Sequence, residues 1–442
     1  MGKWKHALAV TAMLALCAGL LFQGMQSEPN ATASNETKGS LVIVGGALSP
    51  DNEEVYDSFL SLAMDYRNKT KGKVKIGILP TASATPVQSA SAYKADFVHY
   101  GASEDNVDIL PIAVSDDPST DVDESKWSNG AYDEDLAEEV QQYDAVWFVG
   151  GDQLDYTHAL LDDGEDTPVL SAIRDVYQSG AVLGGSSAGA AIMSNPMIGA
   201  GTSLGALNQG VTYEDNYGDV DDNRVFLTQG LGFFDGGMVD QHFVKRGRFG
   251  RLIVGGWDAG NEMGYGIDEN SAMVVHNNDK SIEVIGESGL VIVDLSEAKK
   301  TKEFPAALKD VNVSYIEKGD RYFWKSKSYE ITEDKPEIEE PYYPESSTNT
   351  GIFAEDMLKK VLTYDLVDSD SDEAVGLAYE LTSEKKGEGL KLVFSESAQT
   401  KGYWGKIDGE ESYAAVNVSL DITPMEVKLK VNKIKEKKME EF

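Results

Sequence analysis

Short apolar runs alternate with longer amphipathic stretches in the first half of the chain, from Ser40 onwards. The runs are rich in Val, Ile and Leu and predict buried strands, at residues 41–46, 73–83, 107–112, 145–151 and 181–187. The stretches between them predict helices, at residues 51–66, 91–100, 133–142, 154–161 and 168–179. Near-continuous apolar strands separated by helices are typical of a mostly parallel sheet covered on both faces. The pattern predicts a doubly wound α/β fold.

The pattern changes in the second half of the chain. Residues 199–236 are rich in Gly, Asn and Asp and predict a long loop near the site. After Leu295 the strand–helix alternation stops, and residues 335–350 hold three prolines among acidic and hydroxyl residues, as a linker does. Beyond this stretch, apolar and polar positions alternate and predict a small β-rich domain, with strands at residues 389–396, 413–422 and 425–431.

The first 33 residues show the order of basic, apolar and small residues that is typical of a signal peptide. A basic start is followed by an apolar run at 7–22 and by the small-residue cleavage signal Ala31-Thr32-Ala33. The run is shorter than the roughly 20 residues of a spanning helix, so we expect a secreted or extracellular protein. An uncleaved segment would instead retain the protein at the cell surface. The chain thus divides into a signal peptide at 1–33, a first domain at 40–297, an extension and linker at 298–350, and a β-rich C-terminal domain at 351–442.

Charge and cysteine content narrow the function classes. The chain carries 75 acidic and 39 basic residues, a formal net charge of −36. Such a field opposes nucleic-acid binding and would suit a cationic substrate, although it also keeps exported proteins soluble. Cleavage after Ala33 would remove Cys17, the one cysteine of the sequence. The mature protein would then have neither a disulfide nor a thiol nucleophile.

A five-residue motif, Gly185-Ser186-Ser187-Ala188-Gly189, stands where the last predicted strand meets a helix. A G-x-S-x-G sequence in this position makes a sharp turn, in which the glycines relieve crowding and the serine side chain is exposed. Ser187 is therefore the candidate nucleophile. The backbone N–H groups of Ala188 and of Gly151, which ends the preceding strand, are the candidate oxyanion donors.

A serine nucleophile needs a base, and a carboxylate should orient that base. His242 is the candidate base, because it lies among polar residues between an apparent strand and a helix. The other four histidines fall in the signal peptide or in regular helix and strand patterns: His6, His99, His158 and His276. The residues alone leave three alternatives for the carboxylate, namely Glu269, Asp268 and Asp240.

Together these motifs resemble cyanophycinases, members of the same serine-peptidase family as aspartyl dipeptidase and relatives of class I glutamine amidotransferases. The segment DQHFVKRGRFGRL at 240–252 resembles the hallmark segment of the family. Further motifs follow in the family's order between about Leu41 and Leu295: LVIVGGA, LPTAS, GGDQ, GSSAGAA and GIDENSA. The chain departs from the pattern at Ser186, where threonine is usual, in the acidic stretch 199–236, and in its C-terminal 140 or so residues.

The resemblance implies roles for individual residues. It implies Ser187 as nucleophile, His242 as general base and Glu269 as the orienting acid. It also implies substrate contacts from Gln153, Gln241, Arg246 and Arg248. Asp240, which precedes Gln241, is a further candidate for substrate binding. An arginine near the site can clamp a carboxylate with two hydrogen bonds, whereas Arg251 is expected to be structural.

The activity implied by the resemblance is that of a secreted exopeptidase, active as a dimer, that hydrolyses cyanophycin through an acyl-enzyme. Cyanophycin is a polyaspartate whose side chains carry arginine in isopeptide linkage, and the products would be β-aspartyl-arginine dipeptides. One alternative is a peptidase for other aspartyl or isoaspartyl peptides, and another is a non-catalytic surface binding protein on the same scaffold. No nucleic acid, cofactor or metal is expected. Asp368, Asp370 and Asp372 have the spacing of a calcium loop, but Glu373 occupies the position that requires glycine.

Overall fold

The computed structural model describes residues 38–214, 223–302, 304–345 and 348–430. The predicted signal peptide lies outside these ranges. Strands dominate the described residues, in chain order β1 (Leu41–Val44), β2 (Ile76–Leu79), β3 (Val107–Ile109), β4 (Ala145–Phe148), β5 (Leu161–Asp162), β6 (Glu165–Asp166), β7 (Val182–Ser186), β8 (Met197–Ala200), β9 (Val211–Thr212), β10 (Val225–Thr228), β11 (Met238–Asp240), β12 (Met263–Ile267), β13 (Ser271–His276), β14 (Ser281–Gly286), β15 (Gly289–Asp294), β16 (Lys299–Lys300), β17 (Leu308–Lys309), β18 (Val311–Glu317), β19 (Arg321–Phe323), β20 (Ser328–Glu330), β21 (Asn349–Thr350), β22 (Glu373–Ser383), β23 (Lys386–Ser395), β24 (Lys401–Ile407) and β25 (Glu410–Lys428).

The α-helices of the same ranges are shorter and concentrated in the first half of the chain. They are α1 (Glu53–Arg67), α2 (Pro86–His99), α3 (Glu134–Val140), α4 (Gln153–Leu160), α5 (Pro168–Gln178), α6 (Ala188–Ala191), α7 (Ser203–Gln209), α8 (Phe249–Ala259) and α9 (Met357–Leu362). Each helix in the described part of the chain is too short or too polar to cross a lipid bilayer.

The first sheet has the strand order β20-β19-β14-β13-β1-β7-β4-β2-β3. The strands from β1 to β3 in this order are parallel, and the others are antiparallel. Successive side chains of a strand point to opposite faces, and in β1 Leu41 and Ile43 join one core while Val42 and Val44 join another. The first core includes residues of α3 and α5, and the second includes residues of α1 and α2. This confirms the doubly wound α/β fold.

A second large sheet contains most of the C-terminal strands. Its order is β11-β12-β15-β18-β25-β23-β22-β21, with β24 also paired to β25. The predicted β-rich C-terminal region is confirmed, and its strands continue a sheet that begins with β11 and β12. Strand β25 is 19 residues long and pairs with β18 on one side and with β23 on another. The described residues accordingly belong to one compact unit.

Two segments differ from their predicted character. Residues 298–350, predicted as an extension and linker, contribute β18 to the second sheet and β19 and β20 to the first. Residues 199–236, predicted as a long loop, contain α7, β9 and β10, although 215–222 lie outside the described residues. These elements form because Leu207, Val225 and Leu227 are buried in the core that also contains α8. Apolar positions so widely spaced leave little periodic signal in the sequence.

Candidate active site

Ser187 stands on a sharp turn between β7 and α6. Its backbone has φ +56° and ψ −107°, in the region that favours glycine, and its side chain is half-buried. The flanking glycines allow this turn, because a Cβ on Gly185 would lie 2.6 Å from the carbonyl oxygen of Gly189. A Cβ on Gly189 would lie 2.2 Å from the carbonyl oxygen of Phe148. The predicted elbow is thus present, with a strained serine at its apex.

His242 lies just beyond β11 and faces Ser187. Its Nε2 is 2.8 Å from the Ser187 Oγ, within hydrogen-bond distance. The histidine is 6% exposed and has φ +48°. Its backbone N–H donates to the carbonyl oxygen of Gly45 at 2.6 Å, and the N–H of Ser187 donates to that of Val44 at 3.1 Å. Consecutive carbonyl groups at the end of β1 therefore fix both residues.

Glu269 is the carboxylate that contacts the histidine. Its Oε1 lies 2.5 Å from the His242 Nδ1. Strands β11 and β12 are parallel neighbours with Asp240 opposite Gly266, so the segments that follow them lie side by side and bring His242 and Glu269 together. The resulting order of hydroxyl, imidazole and carboxylate is that of a serine-hydrolase triad.

The two other candidate carboxylates have different partners. Asp268 accepts hydrogen bonds from the Lys245 N–H at 3.1 Å and from the Ser288 hydroxyl at 3.1 Å. Burial raises the pKa of Asp268 above its usual range. Asp240 forms a buried pair with Arg251, with contacts of 2.7 Å to its Nε and 2.5 Å to its Nη2. The structure therefore places Glu269, and neither of these residues, beside the base.

The surroundings of His242 keep its imidazole neutral to lower pH than usual. Burial is the largest influence and lowers the pKa of His242. The hydrogen bond to Glu269 raises the pKa, and the positive charges of Arg246 and Arg248 lower it, with a net decrease. A neutral imidazole can accept the Ser187 proton.

Both predicted oxyanion donors lie beside the elbow. Ala188 is the first residue of α6 and is fully buried, and Gly151 follows β4 with φ +149°. A Cβ on the adjacent Gly150 would lie 3.2 Å from the Ser187 Cβ, so the turn after β4 lies against the nucleophile. No hydrogen bond among the described residues uses the N–H of Ala188 or Gly151, which leaves both available to an oxyanion.

Two of the predicted substrate contacts are glutamines whose side chains already form hydrogen bonds within the protein. Gln153 donates through Nε2 to the carbonyl oxygens of Ile198, at 3.3 Å, and Gly199, so in this structure it fixes β8. Gln241 accepts from Arg248 Nη1 at both its side-chain Oε1, 2.6 Å, and its carbonyl oxygen, 2.8 Å.

The arginines differ in how much of each guanidinium is already engaged. Arg246 is half-exposed, with its Nε 3.5 Å from the Glu269 Oε1. Burial, with repulsion from Arg251, lowers the pKa of Arg248 to about 10, so this side chain is still charged near neutral pH. Arg251 is buried, paired with Asp240, and donates to the carbonyl oxygen of Gly201, as its expected structural role requires.

Two cavities adjoin the loop that follows His242. One, of about 960 Å³, is lined by Glu269 and Lys245 and by C-terminal residues that include Tyr343 and Tyr364. The other, of about 480 Å³, is lined by the three arginines 246, 248 and 251 and by C-terminal residues that include Phe353 and Tyr379. Ser187 is in the lining of neither. The C-terminal region therefore contributes walls to both spaces next to the triad.

Gly46 is a site residue that the sequence analysis missed. It has φ +112°, and a Cβ there would lie 2.2 Å from the His242 Cε1. The strand predicted at 41–46 ends at Val44, and Gly45 and Gly46 form the turn on which the imidazole rests. The signal was the glycine pair itself, which we assigned to the strand although paired glycines mark turns.

Asp368, the first member of the acidic cluster, has a structural role in this fold. Asp368 is buried and accepts hydrogen bonds from the Tyr413 hydroxyl at 2.9 Å and from the Tyr342 N–H at 2.8 Å. Within the described ranges, no group of three or more His, Cys, Asp or Glu side chains is arranged to hold a metal ion.

A serine on a nucleophile elbow, with a histidine base and an orienting carboxylate, defines a serine-type hydrolase. The sequence profile of Peptidase family S51 matches residues 41–283. The chain belongs to peptidase family S51 and is a serine-type peptidase with a polypeptide substrate.

Relatives of this chain include cyanophycinases. It is 32% identical over 254 residues to a cyanophycinase of Geminocystis herdmanii, which covers 56% of this chain and 81% of that protein. It is 30% identical over 295 residues to a cyanophycinase of Nostoc sp., over 65% of this chain and 86% of that protein. The crystal structure of a peptidase from an acI-B1 Actinobacterium matches with a TM-score of 0.40 and 22% identity, over 58% of this chain and 91% of that one.

Proposed function

We propose that the protein is an exopeptidase that hydrolyses cyanophycin to β-aspartyl-arginine dipeptides. One observation carries the proposal: the hydrogen-bonded order Ser187–His242–Glu269 in a chain whose relatives are cyanophycinases. The arginines beside the triad supply the charge that a polymer rich in carboxylates requires. A scaffold used only for binding would need neither a strained serine nor its base.

In the first half of the reaction, the Ser187 Oγ attacks a backbone carbonyl of the polyaspartate chain. His242 Nε2 takes the hydroxyl proton, and Glu269 stabilises the imidazolium through Nδ1. The negative charge on the carbonyl oxygen is met by the N–H groups of Gly151 and Ala188. The imidazolium then protonates the leaving amine, and the C–N bond breaks to leave an acyl-enzyme on Ser187.

In the second half, water replaces the released amine. His242 takes a proton from the water as its oxygen attacks the ester carbonyl of the acyl-enzyme. The tetrahedral intermediate uses the same oxyanion donors, and its collapse returns the proton to Ser187 Oγ. The released acid is a β-aspartyl-arginine dipeptide, and the free enzyme is regenerated.

The test is incubation of the purified mature protein with cyanophycin granules, followed by mass spectrometry of the soluble products. The matched controls are Ser187→Ala, which removes the nucleophile, and Ser186→Ala, which removes the neighbouring hydroxyl and keeps the nucleophile. We expect dipeptides from the wild type and Ser186→Ala, and a loss of at least about 10³-fold for Ser187→Ala. Equal release by wild type and Ser187→Ala would refute the mechanism.

Other products would identify the alternatives. Release from short aspartyl or isoaspartyl peptides, with the polymer left intact, would indicate a different peptide substrate for the same triad. Failure of a fluorophosphonate probe to label Ser187 in folded protein would indicate a binding protein.

Export is part of the proposal, because an extracellular polymer requires an extracellular enzyme. Its support is the basic and apolar sequence of residues 1–33. Sequencing of the N-terminus of protein recovered from the culture medium would test it, and a mature start near Ser34 is the expected result. A dimer is also proposed. Light scattering on the purified mature protein would test it by measuring the molar mass.

A further inference from the structure

The cavity of about 480 Å³ has walls of two different origins. One wall carries Arg246 and Arg248, which lie within the S51 profile match at 41–283. The lining also includes Phe353 and Tyr379, which lie beyond the end of that match. A part of the chain that the family profile does not cover therefore lines the same cavity as the arginines next to the triad.

Residues 351–356, here named the wall segment, pack directly on the loop that carries the arginines. A Cβ on Gly247, which has φ +57°, would lie 2.1 Å from the carbonyl oxygen of Phe353, so the two backbones touch. The Phe353 ring lies 5.0 Å from that of Phe249, at the start of α8. The Asp356 N–H donates to the carbonyl oxygen of Val244 at 3.4 Å. These contacts flank Arg246 and Arg248 on both sides in sequence.

The wall segment is itself fixed to the second sheet. The N–H groups of Gly351 and Ile352 both reach the carbonyl oxygen of Leu377 in β22, at 2.9 and 3.3 Å. Ile352 is fully buried in the core shared with Phe394 and Phe249. Because the segment is held by backbone bonds and by core packing, it can act as a rigid support.

The arginines opposite this wall retain unused hydrogen-bonding capacity. Arg248 donates through Nη1 to Gln241, and within the described ranges its Nε and Nη2 have no hydrogen-bond partner. Arg246 is half-exposed. A carboxylate is the group that matches a guanidinium in shape and charge. Aromatic rings in the same lining would shield such an ion pair from water, and this would strengthen it.

We propose that Phe353 and Tyr379 are positioning residues of the active site. Phe353 holds in place the loop that carries Arg246 and Arg248, and both aromatic rings shield the contact between these guanidinium groups and a carboxylate of the substrate. The C-terminal region is therefore a substrate-binding element, although it carries no reacting group. This inference rests on the proposed function, in which the substrate carries a free carboxylate on each arginine.

The test compares steady-state kinetics on soluble cyanophycin for wild type, Phe353→Ala, Tyr379→Ala and the conservative Phe353→Leu. Trp404→Ala, an aromatic truncation at a 39% exposed position of the same region, is the matched control. We expect Phe353→Ala and Tyr379→Ala each to raise KM about tenfold, which corresponds to the loss of one charge-assisted hydrogen bond, with kcat within about twofold of wild type. In these two variants the rise in KM should be larger at high salt, because salt screens an ion pair that is open to water. Phe353→Leu should recover most of the affinity, and Trp404→Ala should match wild type.

The labelling rate of Ser187 by a fluorophosphonate, which has no carboxylate, is the check on the triad. It should be unchanged in every folded variant. An unchanged KM in both Phe353→Ala and Tyr379→Ala would overturn the inference. A fall in kcat and in labelling rate that matches the loss of folded protein would also overturn it. If the wild type releases no dipeptide, the proposed substrate fails. In that case protection of Ser187 from labelling by succinate, a plain dicarboxylate, still tests the wall: weaker protection in Phe353→Ala supports it, and equal protection refutes it.

Discussion

Two residues of the triad have backbone conformations that L-amino acids rarely adopt. Ser187 has φ +56° and His242 has φ +48°, and each such residue costs on the order of 1–3 kcal/mol. Both are held by the end of β1, where the carbonyl oxygens of Val44 and Gly45 accept their N–H groups. The separation of nucleophile and base is therefore set by one short piece of backbone.

Gly46, the next residue along, is predicted to be required for full activity. In Gly46→Ala the new Cβ would fall 2.2 Å from the His242 Cε1, so the imidazole must move away from Ser187. A displacement of about 1 Å at reacting atoms costs roughly 10²-fold in rate. We expect the rate of fluorophosphonate labelling at Ser187 to fall by that factor.

Gly101→Ala is the control for backbone strain alone. Gly101 has φ +106°, close to the +112° of Gly46, but its Cβ would meet only the Lys71 side chain at 3.5 Å. It should lose stability and keep the wild-type labelling rate. Equal effects of the two substitutions on labelling would show that strain, and not the contact with the imidazole, is responsible.

The lowered pKa of His242 predicts the acid limb of the pH profile. Only the neutral imidazole accepts a proton, so activity falls as pH drops through the pKa of His242, below the usual value of about 6.5. Burial lowers this pKa most, and Arg246 contributes through its charge. In Arg246→Gln the pKa should rise, and the acid limb should move to higher pH.

Because Arg246 is also a proposed substrate contact, the limb is best measured as the labelling rate of Ser187 against pH. Arg174 is an arginine of α5 that pairs with Asp166. The control Arg174→Gln should leave the acid limb of the pH profile in place. An acid limb that stays fixed in Arg246→Gln would contradict the assignment.

At the scale of elements, structure that depends on neighbouring residues is predicted from the sequence better than structure that depends on residues far apart in the chain. The parallel strands β1, β2, β4 and β7 are predictable because each lies in a short, largely apolar run. Strand β18 lies in the segment predicted as an extension and linker, 298–350. Its partner β25 lies about a hundred residues away, and pairing over such a distance leaves no local pattern. The elbow was predicted from a local motif, whereas the choice among three carboxylates depended on the register of β11 and β12.

Lys335, in the segment predicted as a linker, gives a stability prediction. It forms a pair with Asp320, 2.5 Å apart, in which both side chains are fully buried. Removing one member of a buried pair leaves the other charge uncompensated, at a cost of about 3–5 kcal/mol. We expect Lys335→Met to lower the free energy of unfolding in urea by that amount.

A second lysine variant tests whether burial is the cause. Lys401 pairs with Glu337, but these side chains are 49% and 48% exposed. Surface pairs contribute roughly 0–1 kcal/mol, so Lys401→Met should have a small effect. A similar loss in both variants would argue against a special role for the buried pair.

At the scale of the whole molecule, the second sheet takes its strands from both the catalytic and the C-terminal regions. A chain of residues 38–350 would keep the triad but would lose β25, leaving β18 with an unpaired edge over a buried core. We expect this truncation to be insoluble or unfolded, as measured by soluble yield and thermal unfolding.

A chain of residues 38–430 retains every described strand and serves as the matched control. It should fold and react with the fluorophosphonate at the wild-type rate. A soluble 38–350 fragment that labels at Ser187 would show that the first region folds without the second sheet being complete.

The position of β25 also has a consequence for the time at which the enzyme becomes active. It is the last described strand of the chain, yet it lies in the interior of the second sheet, between β18 and β23. A growing chain is made from its N-terminus, so the triad residues emerge from the ribosome long before the strand that completes their support. The second sheet is therefore completed only after β25 has been synthesised. If the chain is exported while still unfolded, it stays inactive until it has left the cytoplasm.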